Sequence, residues 1–423
     1  MPDTRSPAAR RGPLSGIRVL DLSRVLAGPF CSLILADLGA EVIKVEELGV
    51  GDQTRTIPPF VNDQSHYFLA INRNKRSLAL DARTPQGRDV LLKLVKRCDV
   101  VLENFRPGVM DRLGLGYDTL KEINPAIVVC SISGFGATSP MRDKPSFDLV
   151  TQALSGVMSI NGYPDGPPTK LGLPLGDIGG GLWAAIGVLA ALNERNATGS
   201  GSRIDLSLLE GLMGLLGYLA EIQLVTGKSP GRMGNSHHNI VPYGLMPVKD
   251  GHIVLALHVG GFWRNFCRAI GRGDLIADPR FRTVKDRHAN RVELERQIGE
   301  IMMTRTVAEW QKILDDADVP HGPVNSIGEA LNQPAVVASG FVRETRHPTA
   351  GTVKVVGSPL RFPGRYDECP VDPPPLLGEH TREVLRSIAG LEDSDIERLI
   401  AAGIVATPND VRSPTEKSTN NED

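Results

Sequence analysis

In the stretch Leu173-Pro-Leu-Gly-Asp177-Ile-Gly-Gly-Gly-Leu-Trp183 an aspartate stands at the mouth of an expected helix, and three glycines follow it. One reading is structural: the carboxylate caps the free N–H groups of the helix start, and the glycines permit close packing. The other is chemical. A carboxylate held dry and close to an acyl ester is a nucleophile. Glycines would let a bulky thioester approach it, and amides at the helix start could stabilise the oxyanion that its attack creates. Both readings require the same local fold, so these residues alone leave them open.

Other positions could hold a ligand. The loop 24–27 follows the first strand-like run and precedes Gly28-Pro29, a helix start whose free amides suit an anion. Lys and Arg number 47 against 49 Asp and Glu, a net charge of -2. That balance offers no basic excess for a nucleic-acid backbone or an anionic membrane surface, so an anionic ligand must be met by local charge. Cys31, Cys98, Cys130, Cys267 and Cys369 are scattered, without the close pairs that zinc or redox sites use. They read as reduced core thiols, and a cytoplasmic protein is expected. His321, His347 and His380 have no sequence neighbours that suggest ligation, and no metal is expected.

The elements that must position these groups can be read from apolar periodicity. The chain's 423 residues exceed one ordinary core and predict two or three compact units. Strand-like runs at 17–22, 41–45, 77–80, 100–103 and 127–132 alternate with helical patterns. That alternation implies βαβ units and a mainly parallel, Rossmann-like α/β sheet, whose ligands gather at the carboxyl ends of strands, in the loops after Leu22, Glu103 and Ile132. A helix is expected over 183–195, then a strand at 203–207 and a long apolar helix over 208–225. Past the Gly/Pro/Ser-rich 227–234, short strands at 243–246 and 252–257 and helices near 262–270, 291–303 and 307–317 mark a second, smaller α+β domain. Strand character returns at 342–362, a stiff Pro-rich linker follows at 370–375, and helices at 379–389 and 393–402 precede a polar tail. No apolar run of membrane-spanning length is expected.

Several strings agree in order and spacing with one family: Pro13-Leu-Ser-Gly-Ile-Arg-Val-Leu-Asp-Leu, Arg24-Val-Leu-Ala-Gly-Pro29, Asp37-Leu-Gly-Ala-Glu-Val-Ile-Lys-Val-Glu46, Gly51-Asp-Gln-Thr-Arg55, Asn72-Arg-Asn-Lys-Arg-Ser77, Glu103-Asn-Phe-Arg-Pro-Gly108 and Asp148-Leu-Val-Thr-Gln-Ala-Leu-Ser-Gly156. Pro375-Leu-Leu-Gly-Glu-His-Thr and Ala402-Gly-Ile-Val continue the match towards the C-terminus. Over nearly its whole length the chain resembles the class III CoA-transferases, the family of formyl-CoA transferase, carnitine CoA-transferase and the α-methylacyl-CoA racemases.

The resemblance implies that Asp177 is the nucleophile, carrying first an aspartyl anhydride and then an aspartyl-CoA thioester. Coenzyme A and its acyl esters are the implied substrates, with no metal and no nucleotide redox cofactor. The implied CoA contacts are Arg24, Val25, Leu26, Ala27, Asn72, Lys75, Asn104, Phe105 and Arg112, with Lys75 and Arg112 meeting phosphates and Phe147 walling the thioester pocket. Glu47 departs from relatives that carry arginine there. A racemase would need the histidine of a Gly-His-Asp string; this chain has Ser146-Phe147-Asp148, and phenylalanine carries no proton. A non-catalytic acyl-CoA binder would be favoured only if Asp177 were replaced.

The Ile-Val-Pro-Tyr and Pro-Pro-Pro-Leu-Leu-Gly strings are similar to the succinyl-CoA-dependent dicarboxylate branch, such as the succinyl-CoA:glutarate CoA-transferases. That likeness implies a succinyl-CoA donor and a short dicarboxylate acceptor. Arg55, Arg73, His237 and His238 are candidates for the second carboxylate, with Gly234 and Asn235 in a segment that aligns with an active-site flap. The family further implies an interlocked-ring homodimer, with a large domain over 13–225 and 336–406, a linker or flap at 226–240, a small domain at 241–335 and a disordered tail at 407–423.

Overall fold

The computed structural model describes residues 12–366 and 371–410. Cys369, Pro370 of the expected linker and the tail beyond 410 lie outside them. The described residues form two compact units, one from 12–155, Leu171–Gly217 and 338–410 without 367–370, the other from Gly156–Lys170 and Tyr218–Val337. Residues 156–170 were expected in the larger domain. Arg232 holds them in the smaller unit instead, donating to the carbonyls of Tyr163, Pro164 and Gly166.

The first unit is built on a 7-stranded sheet. Its strands are β1 (Arg18–Asp21), β2 (Glu41–Glu46), β3 (Lys75–Leu80), β4 (Val100–Glu103), β5 (Val128–Ser133), β6 (Arg203–Ser207) and β7 (Val405–Ala406). Their spatial order is β7-β3-β2-β1-β4-β5-β6. All neighbours run parallel except β7, which pairs antiparallel with β3. The chain builds outward from β1 through β2 to β3, then returns to lay β4 on the other side of β1. This reversal opens a crevice between the carboxyl ends of β1 and β4, where sheets of this kind bind ligands. The expected α/β class is the one observed.

Alternation along the strands divides the apolar side chains between two faces. Leu20, Ile43, Leu78, Val101 and Val129 enter one core with Val90, Leu91, Leu94 and Val95 of α3 (Pro85–Val95) and with Val384, Leu385 and Ile388. Val19, Val42, Val100, Leu102, Val128 and Cys130 enter the other. There they meet Cys31 and Leu35 of α1 (Ala27–Asp37) and Ala184, Ala185, Val188, Ala191 and Leu192 of α5 (Leu175–Thr198). Each fully buried aliphatic side chain contributes about 1.5–3 kcal/mol, so both faces must be covered. The other helices that bear on the site are α2 (His66–Ile71), α4 (Asp148–Leu154) and α6 (Leu208–Gly214).

Helix α5 corrects two expectations. It begins at Leu175, eight residues before the expected 183, and it is long and apolar enough by composition to cross a membrane. Half of its most apolar window is buried inside the protein, against the sheet and α1, so its character suits a core helix. The apolar helix expected over 208–225 is also broken. It stops at Gly214 and resumes at Tyr218, with Gly217 at φ +53° between.

The second unit has a 3-stranded antiparallel sheet in the order His321–Pro323, Gly251–Ala256, Tyr243–Val248. Trp263, Phe266, Leu294, Ile298, Trp310 and Leu314 form its core. At the end of the first unit, residues 408–410 of the expected tail form a short turn, with the Asp410 carboxylate accepting from Thr407 N and Oγ1.

Candidate active site

The start of α5 is anchored by Asp148, the first residue of α4. Its Oδ1 accepts the N–H of Gly176 at 2.7 Å and of Asp177 at 3.3 Å, and its Oδ2 accepts from Gln152. Ile178 N–H reaches the Pro174 carbonyl and Leu175 N–H the Leu173 carbonyl. The amides of this helix start are therefore all engaged, and they are not the oxyanion donors that the sequence suggested. Asp177 is not the cap either. It sits inside the first turn, and no hydrogen bond to its carboxyl group is present among the described residues.

Burial, and after it the Asp148 carboxylate, push the Asp177 carboxyl up to about 7. Among the described residues no cation pairs with this half-buried acid, which ionises near neutral pH. Tyr67 on α2 stands in the same field: burial first, then Asp177, Asp52 and Asp148, raise its phenol to about 12 and keep it neutral. Tyr67 packs with Val25, Leu26, Phe30 and Ile178.

The glycines after Asp177 serve packing. A Cβ on Gly181 would lie 2.7 Å from the Ala27 carbonyl oxygen, one on Gly180 2.2 Å from Leu208 Cδ2, and one on Gly179 2.7 Å from Leu215 Cδ1. They let α5 lie directly on α1 and α6, which brings Asp177 beside the loop that follows β1. They are occupied contacts, and the expected open approach for a thioester does not run over them.

That loop, 24–27, lies at the crevice between β1 and β4. Asn104, just past β4, closes on Arg24 with two hydrogen bonds of 2.8 Å, accepting from its N–H and donating to its carbonyl. Helix α1 starts after Leu26 with no side-chain cap on its first amides. Beside the loop is a cavity of 290 Å³ lined by Leu22, Arg24, Glu47, Leu80, Arg83 and Phe105, among others. The Arg24 guanidinium lies 5.1 Å above the Phe105 ring. Glu47 approaches both cations, at 3.8 Å from Arg24 and 3.6 Å from Arg83.

Other expected contacts are placed elsewhere. Lys75 is buried, its ammonium held by Pro29 O, Asn72 Oδ1 and Asp21, and burial lowers it to about 8. Asn72 completes that interior network by donating to Phe68 O. Both are therefore committed inside the fold, where neither can meet a phosphate. Arg112 is exposed on a short helix, Val109–Arg112. Phe147 is 70% exposed at the cap position of α4, not enclosed as a pocket wall.

The candidates for a second carboxylate are also engaged. Arg55 grips both oxygens of buried Glu46, donates to Pro375 O and lies over the Phe68 ring. Arg73 is paired with Asp37. In the second unit His237 accepts two amide N–H groups at Nδ1, from Asn239 and Ile240, which leaves Nε2–H to face the Tyr218 hydroxyl at 3.2 Å. Burial, His238 and Arg291 hold His237 below its ordinary value, so it offers no charge at neutral pH. His238 Nε2 reaches Gly231 O, Asn235 donates to the Tyr163 hydroxyl, and Gly234 takes φ +58°.

Sequence reasoning missed Tyr67, Arg83 and Asp52, and it knew Asp148 only as part of a motif. The Asp148-to-Asp177 separation and the Gly51-Asp52 string were visible, but nothing local says that either carboxylate turns toward the site.

Comparison with known proteins shows the family. The family model for CoA-transferase family III matches residues 14–381. A succinyl-CoA:glutarate CoA-transferase of Mus musculus is 39% identical over 93% of this chain and 90% of its own length. An acetyl-CoA:oxalate CoA-transferase of Acetobacter aceti is 39% identical over 86% of this chain and 92% of its own. A crystal structure of a CAIB/BAIF family protein from Brucella suis superposes with a TM-score of 0.79 at 37% identity, covering 90% of this chain and 100% of that one. A Rossmann-like sheet with its crevice between β1 and β4, and an unpaired acid at the start of α5, thus occur in a chain that belongs to CoA-transferase family III and is a CoA-transferase.

Proposed function

We propose that the chain moves CoA from succinyl-CoA to a short dicarboxylic acid, with Asp177 as the covalent carrier. An Asp177 oxygen attacks the thioester carbonyl of the donor and expels CoA as thiolate, forming a mixed anhydride. The thiolate then attacks the aspartyl carbonyl, and the donor carboxylate leaves. The acceptor carboxylate repeats the first exchange on the aspartyl-CoA thioester, and the returning thiolate takes the acceptor's acyl group and frees Asp177. Each step exchanges one activated acyl group for another, so no external energy source is consumed.

The observation that carries this reading is the Asp177 carboxyl: half-buried, without a cation, and raised to about 7 by burial and by Asp148. Such a group is desolvated enough to attack and still ionises at neutral pH. The cavity beside residues 24–27 suits the nucleotide end of CoA, with the Phe105 ring for a base and Arg24 and Arg83 for phosphates, which would displace Glu47. A dicarboxylate acceptor is supported by the relatives named for glutarate and oxalate.

We also read the chain as a homodimer in a cytoplasmic setting. Leu182, Trp183 and Ile186 of α5 and Leu149 and Leu154 of α4 are exposed, an apolar surface of the kind that a second copy covers.

Asp177→Ala and Asp177→Asn are expected to abolish CoA exchange and leave CoA binding measurable by calorimetry. Retained turnover in either would overturn the assignment. Incubating the enzyme with succinyl-CoA and a panel of acids, then weighing the CoA esters formed, tests the substrate pair; exclusive use of monocarboxylates would contradict it.

A further inference from the structure

The turn at the end of β1 adopts a conformation its own sequence resists. Val25 has φ +66°, in the left-handed region, where a β-branched residue is an outlier. Polar side chains from elsewhere in the unit impose it. The Asp52 carboxylate accepts the Val25 N–H, at 3.3 Å to Oδ1 and 3.2 Å to Oδ2. Thr54 fixes the aim of that carboxylate, donating to it from N at 2.9 Å and from Oγ1 at 2.8 Å. Lys44 Nζ pairs with Asp52 at 2.8 Å and donates to the Ser23 carbonyl at 3.0 Å. Asn104 holds Arg24 between them.

Lys44 and Asp52 are only 0% and 2% exposed. Desolvating an ion pair costs free energy that its attraction often fails to recover, so a pair placed under one strained turn needs a reason. Position supplies it. Val25 packs in one cluster with Tyr67 and with Ile178, the residue after Asp177.

We propose that Asp52 and Lys44 are positioning residues that hold Val25 left-handed, so that the loop 24–27 meets acyl-CoA already shaped beside Asp177. The inference rests on reading that loop as the acyl-CoA contact. Without the clamp, Val25 relaxes to negative φ and turns the peptide groups on either side of it. Acyl-CoA must then select a minor conformer, and its apparent affinity falls by the population of that conformer. The chemistry of the bound state is unchanged, so the effect belongs to KM for acyl-CoA and not to kcat.

Asp52→Ala removes both oxygens that accept the Val25 N–H. Lys44→Met/Asp52→Ala leaves no unpaired charge inside, and it covers the case in which the single variant fails to fold. Either is expected to raise KM for acyl-CoA about tenfold while kcat and KM for the acceptor acid change by less than about twofold. Adding Val25→Gly, which takes positive φ freely, is expected to return KM to within about threefold of the wild-type value. A purely structural role would lower the melting temperature without separating the two substrates and without rescue by glycine. An unchanged acyl-CoA KM in the folded variants, or no rescue, overturns the clamp. A wild-type chain that binds no CoA in calorimetry overturns the reading of the loop instead.

Discussion

Asp177 ionises late because it is half-buried and faces Asp148, and both pH behaviour and stability follow from that. In the proposed mechanism only the carboxylate attacks, so kcat/KM is expected to fall as pH drops through about 7. In Asp148→Asn the repulsion is gone while an oxygen remains to accept the Gly176 and Asp177 amides. The acid limb of its pH–rate profile is expected to move to lower pH; an unmoved limb would mean that another group sets it. For stability the sign is opposite to that of a salt-bridged acid. The ordinary value is 3.8 and the folded value about 7, so the unfolded chain ionises first and the fold loses stability as pH rises through that window. Asp177→Asn cannot ionise. Its melting advantage over the wild type is expected to grow between pH 4 and 7 and then level off at about 4 kcal/mol, readable by calorimetry at pH 5 and pH 8. The proposed nucleophile was legible only through family motifs, because a carboxylate before three glycines is also what a cap looks like. The roles of Lys75 and Arg55 were not legible. Their partners, Asp21 and Glu46, lie 54 and 9 residues away, and charge in a sequence does not reveal which charges the fold will bury together.

At the scale of elements, α5 is the device that brings Asp177, the proposed nucleophile, to the loop 24–27. Its glycines have weak helix propensity, which tertiary contact overrides, since each fills a place where a side chain would not fit. Gly181→Ala sets a methyl group against the Ala27 backbone carbonyl, so α1 and the loop before it must move. A loss of about 1–3 kcal/mol is expected in denaturant unfolding, together with a higher KM for acyl-CoA. Gly179→Ala meets only the end of the Leu215 side chain, and a smaller loss is expected. Equal effects at the two positions would remove α1 from the argument. The strands were readable because their β-branched runs alternate with helical patterns, and the register Val19↔Val42↔Lys75 follows from which face each apolar side chain must bury.

For the whole molecule, the surface itself carries information that periodicity does not. Phe147 is 70% exposed, Trp183 40% and Ile186 55%, and a cavity of 810 Å³ opens among Phe30, Leu33, Leu69, Leu182 and Phe341. Size-exclusion with light scattering at high dilution is expected to return a dimer, and Ile186→Glu is expected to weaken it. A folded, active monomer would contradict the homodimer. The described cysteines, Cys31, Cys98, Cys130 and Cys267, are core thiols; burial above all raises Cys98, Cys130 and Cys267 to about 12, and modification of these four by iodoacetamide is expected only after unfolding.

The central claim is that one side chain becomes the acyl carrier, and trapping tests it most directly. The enzyme is quenched with hydroxylamine during turnover with acyl-CoA, digested, and the peptide bearing residue 177 is sequenced by mass spectrometry. A hydroxamate at Asp177 that appears only when acyl-CoA is present is the predicted result. An unmarked Asp177 in an enzyme that is turning over, or a mark on another carboxylate, would contradict it.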